Sequence, residues 1–150
     1  MPNADDLGPH LSRRLSYLLK RAALELEDLH QQHLAPVGIS VRELAVLLLL
    51  GAREPGSQQQ AARRLGVDRT TMVALVDALE DKGLVARRPD AGDRRRNVVE
   101  LTKTGEATLA RATLASDAAE QQLLAGLSNA ESAQLRDLLG RIATERAQQP

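Results

Sequence analysis

The chain has 150 residues, a formal net charge of zero at neutral pH and no cysteine. This length suits a single domain with a buried core, and the absence of cysteine excludes disulfides, thiolate metal sites and cysteine-based redox sensing. The first ten residues are acidic rather than basic and apolar, and no run of about eighteen apolar residues occurs. We therefore expect a cytoplasmic protein with no membrane partner.

The charge is unevenly distributed along the chain. Residues 63–103 carry a formal charge of +3, whereas residues 1–62 and 104–150 carry −1 and −2. A basic middle segment between acidic flanks is compatible with a nucleic-acid-binding module attached to a scaffold, although +3 alone is weak evidence. Whether this segment binds nucleic acid is better judged from the order of the local motifs along the chain.

The first third of the chain predicts two helices. Apolar residues recur every three or four positions over 11–34, which is typical of an amphipathic helix, and the residues at 35–38 interrupt it. Ser40 and Glu43 match a capping box, in which each side chain pairs with the backbone N–H of the other residue. They begin a leucine-rich helix over 41–50 that is apolar on nearly all sides and therefore central.

The next two helices are joined by a tight turn. Ser57 and Gln60 form a second capping-box pattern, at the start of a helix that ends at Leu65. In the turn at 66–68, glycine takes the left-handed backbone that ends one helix and aspartate caps the next. The following helix ends at Gly83. Its buried stripe consists of Met72, Leu75, Val76 and Leu79. This is a helix-turn-helix pattern.

Two segments of strand character, 84–88 and 97–101, flank the turn-forming residues 89–93. They predict a β-hairpin, or wing, directly after the helix-turn-helix, and a further short strand before Ser57 is possible. Thr102 then caps a helix that extends to about Ala125.

The last predicted element is a helix that follows a third capping box, at 128–131. The predicted fold is mainly α with a small β-wing, in one domain over 1–150. A winged helix-turn-helix occupies about 40–102, between dimerisation helices at about 9–34 and 103–148.

These motifs resemble the MarR (multiple antibiotic resistance regulator) family. The matching runs are LGVDR at 65–69, LVDALEDKGLV at 75–85, RRPD at 87–90 with DRRR at 93–96, and LTKTG at 101–105. The resemblance implies a homodimer with interlocked terminal helices, a recognition helix at 68–82 and an Asp-x-Arg wing motif. It also implies a repressor of palindromic sites in double-stranded DNA that is released by a small, often aromatic, ligand.

The recognition helix and the wing supply the candidate DNA contacts. The N-terminal end of a recognition helix presents small and polar side chains to base edges, and backbone N–H groups to phosphate. Five arginines flank the predicted turn, and we expect Asp93 to hold the guanidinium of Arg94 or Arg95 for a narrow minor groove. The candidate DNA-binding residues are Ser57, Gln58, Arg69, Thr70, Thr71, Val73, Ala74, Asp77, Arg87, Arg88, Asp93, Arg94, Arg95 and Arg96.

Aromatic residues are scarce, since phenylalanine and tryptophan are absent and one tyrosine is present. An effector pocket would therefore have aliphatic walls and a few polar groups. We expect a small apolar or aromatic anion. The candidate ligand-binding residues are His10, Arg13, Arg14, Tyr17 and Arg42.

Other functions are less well supported by the sequence. It contains no nucleophile elbow, glycine-rich phosphate loop or metalloprotease helix, so we predict neither an enzyme nor a cofactor. His30 and His33, with Asp28 nearby, suggest a metal-sensing regulator, but no further cluster completes a ligand set and we assign no metal. A winged-helix module that binds a protein partner is the remaining alternative.

Overall fold

A computed structural model describes residues 7–52 and 56–147. The elements in chain order are helices α1 (Gly8–Ser12), α2 (Leu15–Leu34) and α3 (Val41–Gly51), strand β1 (Gly56–Ser57), helices α4 (Gln58–Leu65) and α5 (Arg69–Asp81), strands β2 (Val85–Pro89) and β3 (Asn97–Leu101), and helices α6 (Lys103–Leu123) and α7 (Asn129–Ala147). A 3-10 turn, Ala35–Val37, joins α2 to α3. The predicted fold class, mostly helical with a small β-wing, is confirmed. Residue 148, at the predicted end of the last helix, lies outside the described residues.

The three strands form one antiparallel sheet in the order β1-β3-β2. Val85 pairs with Leu101 and Pro89 pairs with Asn97, so β2 and β3 form the predicted hairpin. We call residues 85–101 the wing. The possible strand before Ser57 is present as β1, which pairs with β3. Pro89 ends β2 instead of beginning the turn. An edge strand such as β2 tolerates proline, because an N–H on its outer side has no neighbouring strand to pair with.

The core lies where α3 and α5 meet the sheet. Val46 and Leu47 of α3 are fully buried, and the predicted central position of this helix is confirmed. The stripe predicted for α5 is also confirmed: Met72, Val76 and Leu79 are buried, and Leu75 packs against them. This core fixes the position of α5 relative to the wing.

Two of the three predicted capping boxes form completely. Ser57 and Gln60 exchange both hydrogen bonds, each 3.2 Å long. Ser128 and Glu131 also exchange both, at 2.8 and 3.1 Å. The capping box predicted at Ser40 forms only on the serine side, so this prediction is wrong for Glu43. The Ser40 hydroxyl accepts from the Glu43 N–H, but the Glu43 carboxylate binds the Lys82 ammonium at 2.7 Å, since a nearly buried charge is stabilised more by an opposite charge.

The single helix predicted over 11–34 is wrong at its start. Arg14 has an extended backbone, with φ −71° and ψ 133°, and this separates α1 from α2. Apolar periodicity continues across the break, with Leu11 and Leu15 both exposed in the single chain. The pattern shows which face is apolar, and it does not show whether the backbone is continuous.

Among the described residues, no single helix is long and apolar enough to cross a membrane. The bent pair Leu15–Val37 and Val41–Gly51, at 72°, passes that test of length and composition only when its two helices are taken together.

Candidate nucleic-acid interface

The helix-turn-helix forms as the sequence predicts. Gly66 has a φ of 65° and ends α4, and Asp68 caps α5. One carboxylate oxygen of Asp68 accepts from the Thr71 N–H and the other accepts from the Thr71 hydroxyl, each at 2.8 Å. These hydrogen bonds from Thr71 hold the pKa of Asp68 below its ordinary value. The start of α5 is therefore fixed by a charged cap.

The outer face of α5 carries several candidate DNA contacts. Arg69, Thr70 and Ala74 are exposed, and Val73 is half-buried. The Thr71 hydroxyl proton is used in the cap, so this side chain differs from its neighbour Thr70. Asp77 is exposed but pairs with Arg87, as described below. The N-terminal half of α5 thus offers one cation and one uncommitted hydroxyl.

The tip of the wing presents unpaired cations. Arg94 and Arg95 are exposed, and neither makes an ion pair or side-chain hydrogen bond with the part of the chain that the structure describes. The expectation that Asp93 holds one of these guanidiniums is wrong. Asp93 accepts from the Arg95 backbone N–H at 3.0 Å and lies 3.9 Å from the Arg96 Nε. A short aspartate side chain readily closes a turn onto the N–H two residues on.

The five wing arginines do not gather at the tip. Arg88 pairs across the hairpin with Glu100 at 3.0 Å. Arg87 points to the helices instead, where its guanidinium contacts Asp77, Glu80 and Gln58. The sequence shows how many arginines flank the turn, but it does not show which of them form ion pairs within the protein.

A cleft of about 540 Å³ separates the helix-turn-helix from the wing tip. Its helical side includes Arg63 and Arg69, and its wing side includes Arg95 and Arg96. Other residues that line it are Ser57, Gln58, Gln59, Ala62, Val67, Met72 and Asn97. The structure therefore places the candidate residues Ser57, Gln58 and Arg69 across the cleft from the wing tip. Arg63, which is not among the candidates from the sequence, lines the same cleft from the exposed face of α4.

Comparisons with known proteins agree with this architecture. A family model described as MarR family matches residues 37–96. A solved transcriptional repressor, CouR, bound to a 23-mer DNA duplex, is 38% identical to this chain with a TM-score of 0.84, over 90% of this chain and 96% of CouR. The chain belongs to the MarR family of transcriptional regulators.

Two further similar proteins give information on a bound ligand and on how much of a relative's length the match covers. CouR from Rhodococcus jostii RHA1, solved with bound p-coumaroyl-CoA, is 33% identical with a TM-score of 0.78, over 91% of this chain and 96% of that protein. A transcriptional regulatory protein for the hcr operon of Thauera aromatica is 37% identical over 105 residues, which is 69% of this chain. The match spans 63% of that curated relative's length.

The candidate ligand residues of this MarR-family chain lie apart from the described cavities. A second cavity of about 510 Å³ lies beside the 3-10 turn, between α2, the start of α3 and the end of α5, and it includes His30, Glu43 and Lys82. The five candidate ligand residues line neither this cavity nor the cleft. Arg13 and Arg14 lie at the break between α1 and α2, His10 is on α1, and Tyr17 and Arg42 are on α2 and α3.

The two histidines considered for metal sensing connect α2 to α6. The His30 Nε2 is hydrogen-bonded to the Ser116 hydroxyl at 2.9 Å, and the His33 Nε2 to the Gln122 side-chain oxygen at 2.9 Å. Over residues 7–52 and 56–147, no group of three histidine, aspartate or glutamate side chains is placed to share a metal ion. The sequence shows the residues on α2, but their partners are more than eighty positions away.

Proposed function

We propose that this chain binds double-stranded DNA as a homodimer and represses transcription from a pseudo-palindromic operator. In each protomer α5 enters a major groove, and the wing tip reaches the adjacent minor groove. The observation that carries this proposal is the cleft with arginines on both sides, since cations spaced around a concave surface suit a phosphate backbone. The overall similarity to CouR, which was solved with DNA, supports it.

The homodimer is supported by apolar side chains that one protomer leaves exposed near both ends of the chain. These are Leu11, Leu15, Leu18, Leu19 and Leu24 on α1 and α2, and Leu138, Leu139 and Ile142 on α7. Exposed apolar groups of this extent are typical of an interaction surface. Two-fold pairing through these helices places two copies of α5 on one face, so we expect half-sites about one helical turn apart.

The DNA proposal is tested by fluorescence anisotropy with a labelled duplex of about 30 bp, selected by the protein from a randomised library and long enough for two such half-sites. We expect affinity to fall steeply with salt. Replacing Arg94 and Arg95 together by alanine removes up to four unpaired cations per dimer, so the slope of log affinity against log salt should decrease by up to about 4.

Arg111→Ala is the control for loss of a surface arginine, because Arg111 is exposed on α6 and does not line the cleft, and sedimentation velocity shows whether the variant is still a dimer. This variant should leave the slope near that of the unmodified protein. Binding with no salt dependence, or an equal loss in the control, would exclude the proposed interface.

We also propose that a small apolar or aromatic anion releases the DNA. Support comes from the CouR structure with p-coumaroyl-CoA and from the exposed cations Arg13 and Arg14 beside the apolar faces of α1 and α2. In the anisotropy assay, p-coumarate or p-coumaroyl-CoA should dissociate the complex, whereas acetyl-CoA, which has the same coenzyme A but lacks the aromatic acyl group, should not. If neither aromatic compound acts, this effector class is wrong, and the DNA proposal is unaffected.

A further inference from the structure

We propose that Arg87 is a positioning residue that locks the wing onto the recognition helix, and that it does not contact DNA. Its effect on DNA rests on the proposed function above, but the lock itself is a property of the free protein. The sequence alone predicts that Arg87 contacts DNA together with the arginines of the wing tip, and this role differs from that prediction.

Each of the three nitrogens of the Arg87 guanidinium donates a hydrogen bond to the helix-turn-helix. Its Nη2 donates to an Asp77 oxygen at 2.6 Å, its Nη1 to a Glu80 oxygen at 3.0 Å, and its Nε to the Gln58 side-chain oxygen at 3.0 Å. The Arg87 backbone N–H also donates to Glu80, at 3.3 Å. One side chain on β2 therefore connects the wing to both α4 and α5.

Burial separates Arg87 from its neighbour on the same strand. Its side chain is 20% exposed, whereas that of Arg88 is 54% exposed and, among residues 7–52 and 56–147, pairs only with Glu100 across the hairpin. Successive residues of a strand point to opposite faces, so Arg87 faces the helices when Arg88 faces away. Arg88 is thus a natural control for the loss of an arginine from β2.

The charge of Arg87 is also neutralised locally. Its one positive charge lies between the carboxylates of Asp77 and Glu80, so the group of three has a net charge of −1. Such a group does not attract phosphate. A planar guanidinium with acceptors on all three of its nitrogens has instead a fixed orientation, which lysine cannot reproduce with a single ammonium.

The geometry makes this contact important for the wing tip. Arg95 lies in the turn beyond β2, and Asp90, which closes that turn by a hydrogen bond to Arg96, is already about 10 Å from Arg87 at the ordinary rise of a strand. A tilt of the hairpin by 10° would move the turn by about 2 Å, which takes a hydrogen-bonded contact out of range. Arg87 therefore sets where Arg94 and Arg95 lie relative to α5.

Salt dependence distinguishes positioning from phosphate contact. With the selected duplex, Arg87→Gln should weaken binding about tenfold by displacing Arg94 and Arg95, so it should cause little further loss of affinity or of salt slope in a variant in which both of these arginines are already alanine. Arg94→Gln should reduce the slope by about 1 for each phosphate contact that is removed. Arg87→Lys should weaken binding nearly as much as Arg87→Gln, because lysine retains the charge but not the planar group that donates to three partners at once. A further loss of slope when Arg87→Gln is added to the variant that lacks Arg94 and Arg95, or recovery of affinity in Arg87→Lys, would overturn the proposal.

The lock is tested in the free protein by spin-label distances. The native chain has no cysteine, so Asp81→Cys at the end of α5 and Ala91→Cys at the wing tip, both exposed sites, accept labels only at those positions. Labelled chains are diluted with unlabelled chains to remove distances between protomers. We expect one narrow distance distribution, which Arg87→Gln and Arg87→Lys broaden or shift and Arg88→Gln leaves unchanged.

Circular dichroism shows whether each variant is folded, and Arg87→Lys carries the test if Arg87→Gln does not fold. An unchanged distribution in a folded Arg87 variant would refute the lock. If the unmodified protein does not bind DNA, the proposed function fails, while the distance measurement still decides the role of Arg87.

Discussion

At the scale of single residues, Asp68 shows how the start of the recognition helix is fixed. Both of its carboxylate oxygens are used by Thr71, one by the backbone N–H and one by the hydroxyl. An N-cap of this kind satisfies donors that the first turn of a helix leaves unpaired. The negative charge also lies at the positive end of the helix dipole, where it is stabilising.

We predict that Asp68→Ala lowers the melting temperature at neutral pH, because α5 loses its cap. The pKa of Asp68 is lowered in the folded protein, mainly by the hydrogen bonds from Thr71, so its stabilisation is complete above the ordinary value of 3.8 and is lost as the pH falls through the folded value. The difference in melting temperature should therefore shrink below pH 3.8. Asp68→Asn retains an acceptor without a charge and should show no such acid dependence from this site. A difference that persists unchanged in acid would contradict this explanation.

At the scale of elements, the end of α5, the start of the wing and the start of α6 meet at one junction. The Thr102 hydroxyl donates to the Gly83 carbonyl at 2.6 Å and accepts from the Gly105 N–H at 3.0 Å. A Cβ on Gly105 would lie 1.9 Å from the Leu84 carbonyl oxygen, so only glycine permits this approach. The LTKTG run thus joins the DNA-binding module to the proposed dimerisation helix α6.

The end of α5 is also held by an ion pair that the sequence analysis missed. The Lys82 ammonium binds the Glu43 carboxylate at 2.7 Å and donates to the Gly38 carbonyl at 2.9 Å. The Glu43 side chain is 12% exposed, so removal of its partner leaves a poorly hydrated charge.

We predict that Lys82→Met lowers the free energy of unfolding by about 1 to 2 kcal/mol, a value reduced because the lysine itself is partly exposed. The measurement is urea unfolding of the four proteins of a double-mutant cycle with Glu43→Gln. Because the two residues are in direct contact, their effects should be coupled by at least about 0.5 kcal/mol. Additive effects would show that the ion pair contributes nothing.

Asp93→Ala tests how the wing turn is held. Asp93 accepts from the Arg95 N–H, and its carbonyl accepts from the Arg96 N–H at 3.0 Å. We predict that the variant binds DNA several-fold more weakly, although its net charge becomes more positive, because the turn that presents Arg94 and Arg95 loosens. Anisotropy with the selected duplex measures this effect, and tighter binding would show that the carboxylate only repels phosphate.

Local signals predicted most of the elements, and contacts between distant residues account for what was missed. The cap at Asp68 and the turn at Gly66 depend on neighbouring residues, so they are readable from the sequence. The partner of Glu43 is 39 positions away, and the partners of Arg87 lie on two helices. Such pairings depend on how the elements pack, which periodicity does not specify.

At the scale of the whole molecule, the proposed dimer would bring the exposed apolar faces of α1, α2 and α7 out of water. We predict that Leu15→Glu combined with Ile142→Glu gives a monomer in sedimentation velocity, because these side chains are 65% and 61% exposed in one protomer and are free to accept charge without unfolding it. The monomer should bind the selected duplex at least about tenfold more weakly, since only one half-site is engaged at a time. A double variant that remains dimeric would place the interface elsewhere.

In the proposed complex, each protomer of a dimer places α5 in a major groove and the wing tip in the adjacent minor groove. Hydroxyl-radical footprinting on the selected duplex tests it directly, because protection reports which part of the backbone and which groove the protein covers. We expect two protected regions about one helical turn apart, each flanked by minor-groove protection that disappears when Arg94 and Arg95 are replaced by alanine. A single protected region, or flanking protection that persists without these two arginines, would contradict this account.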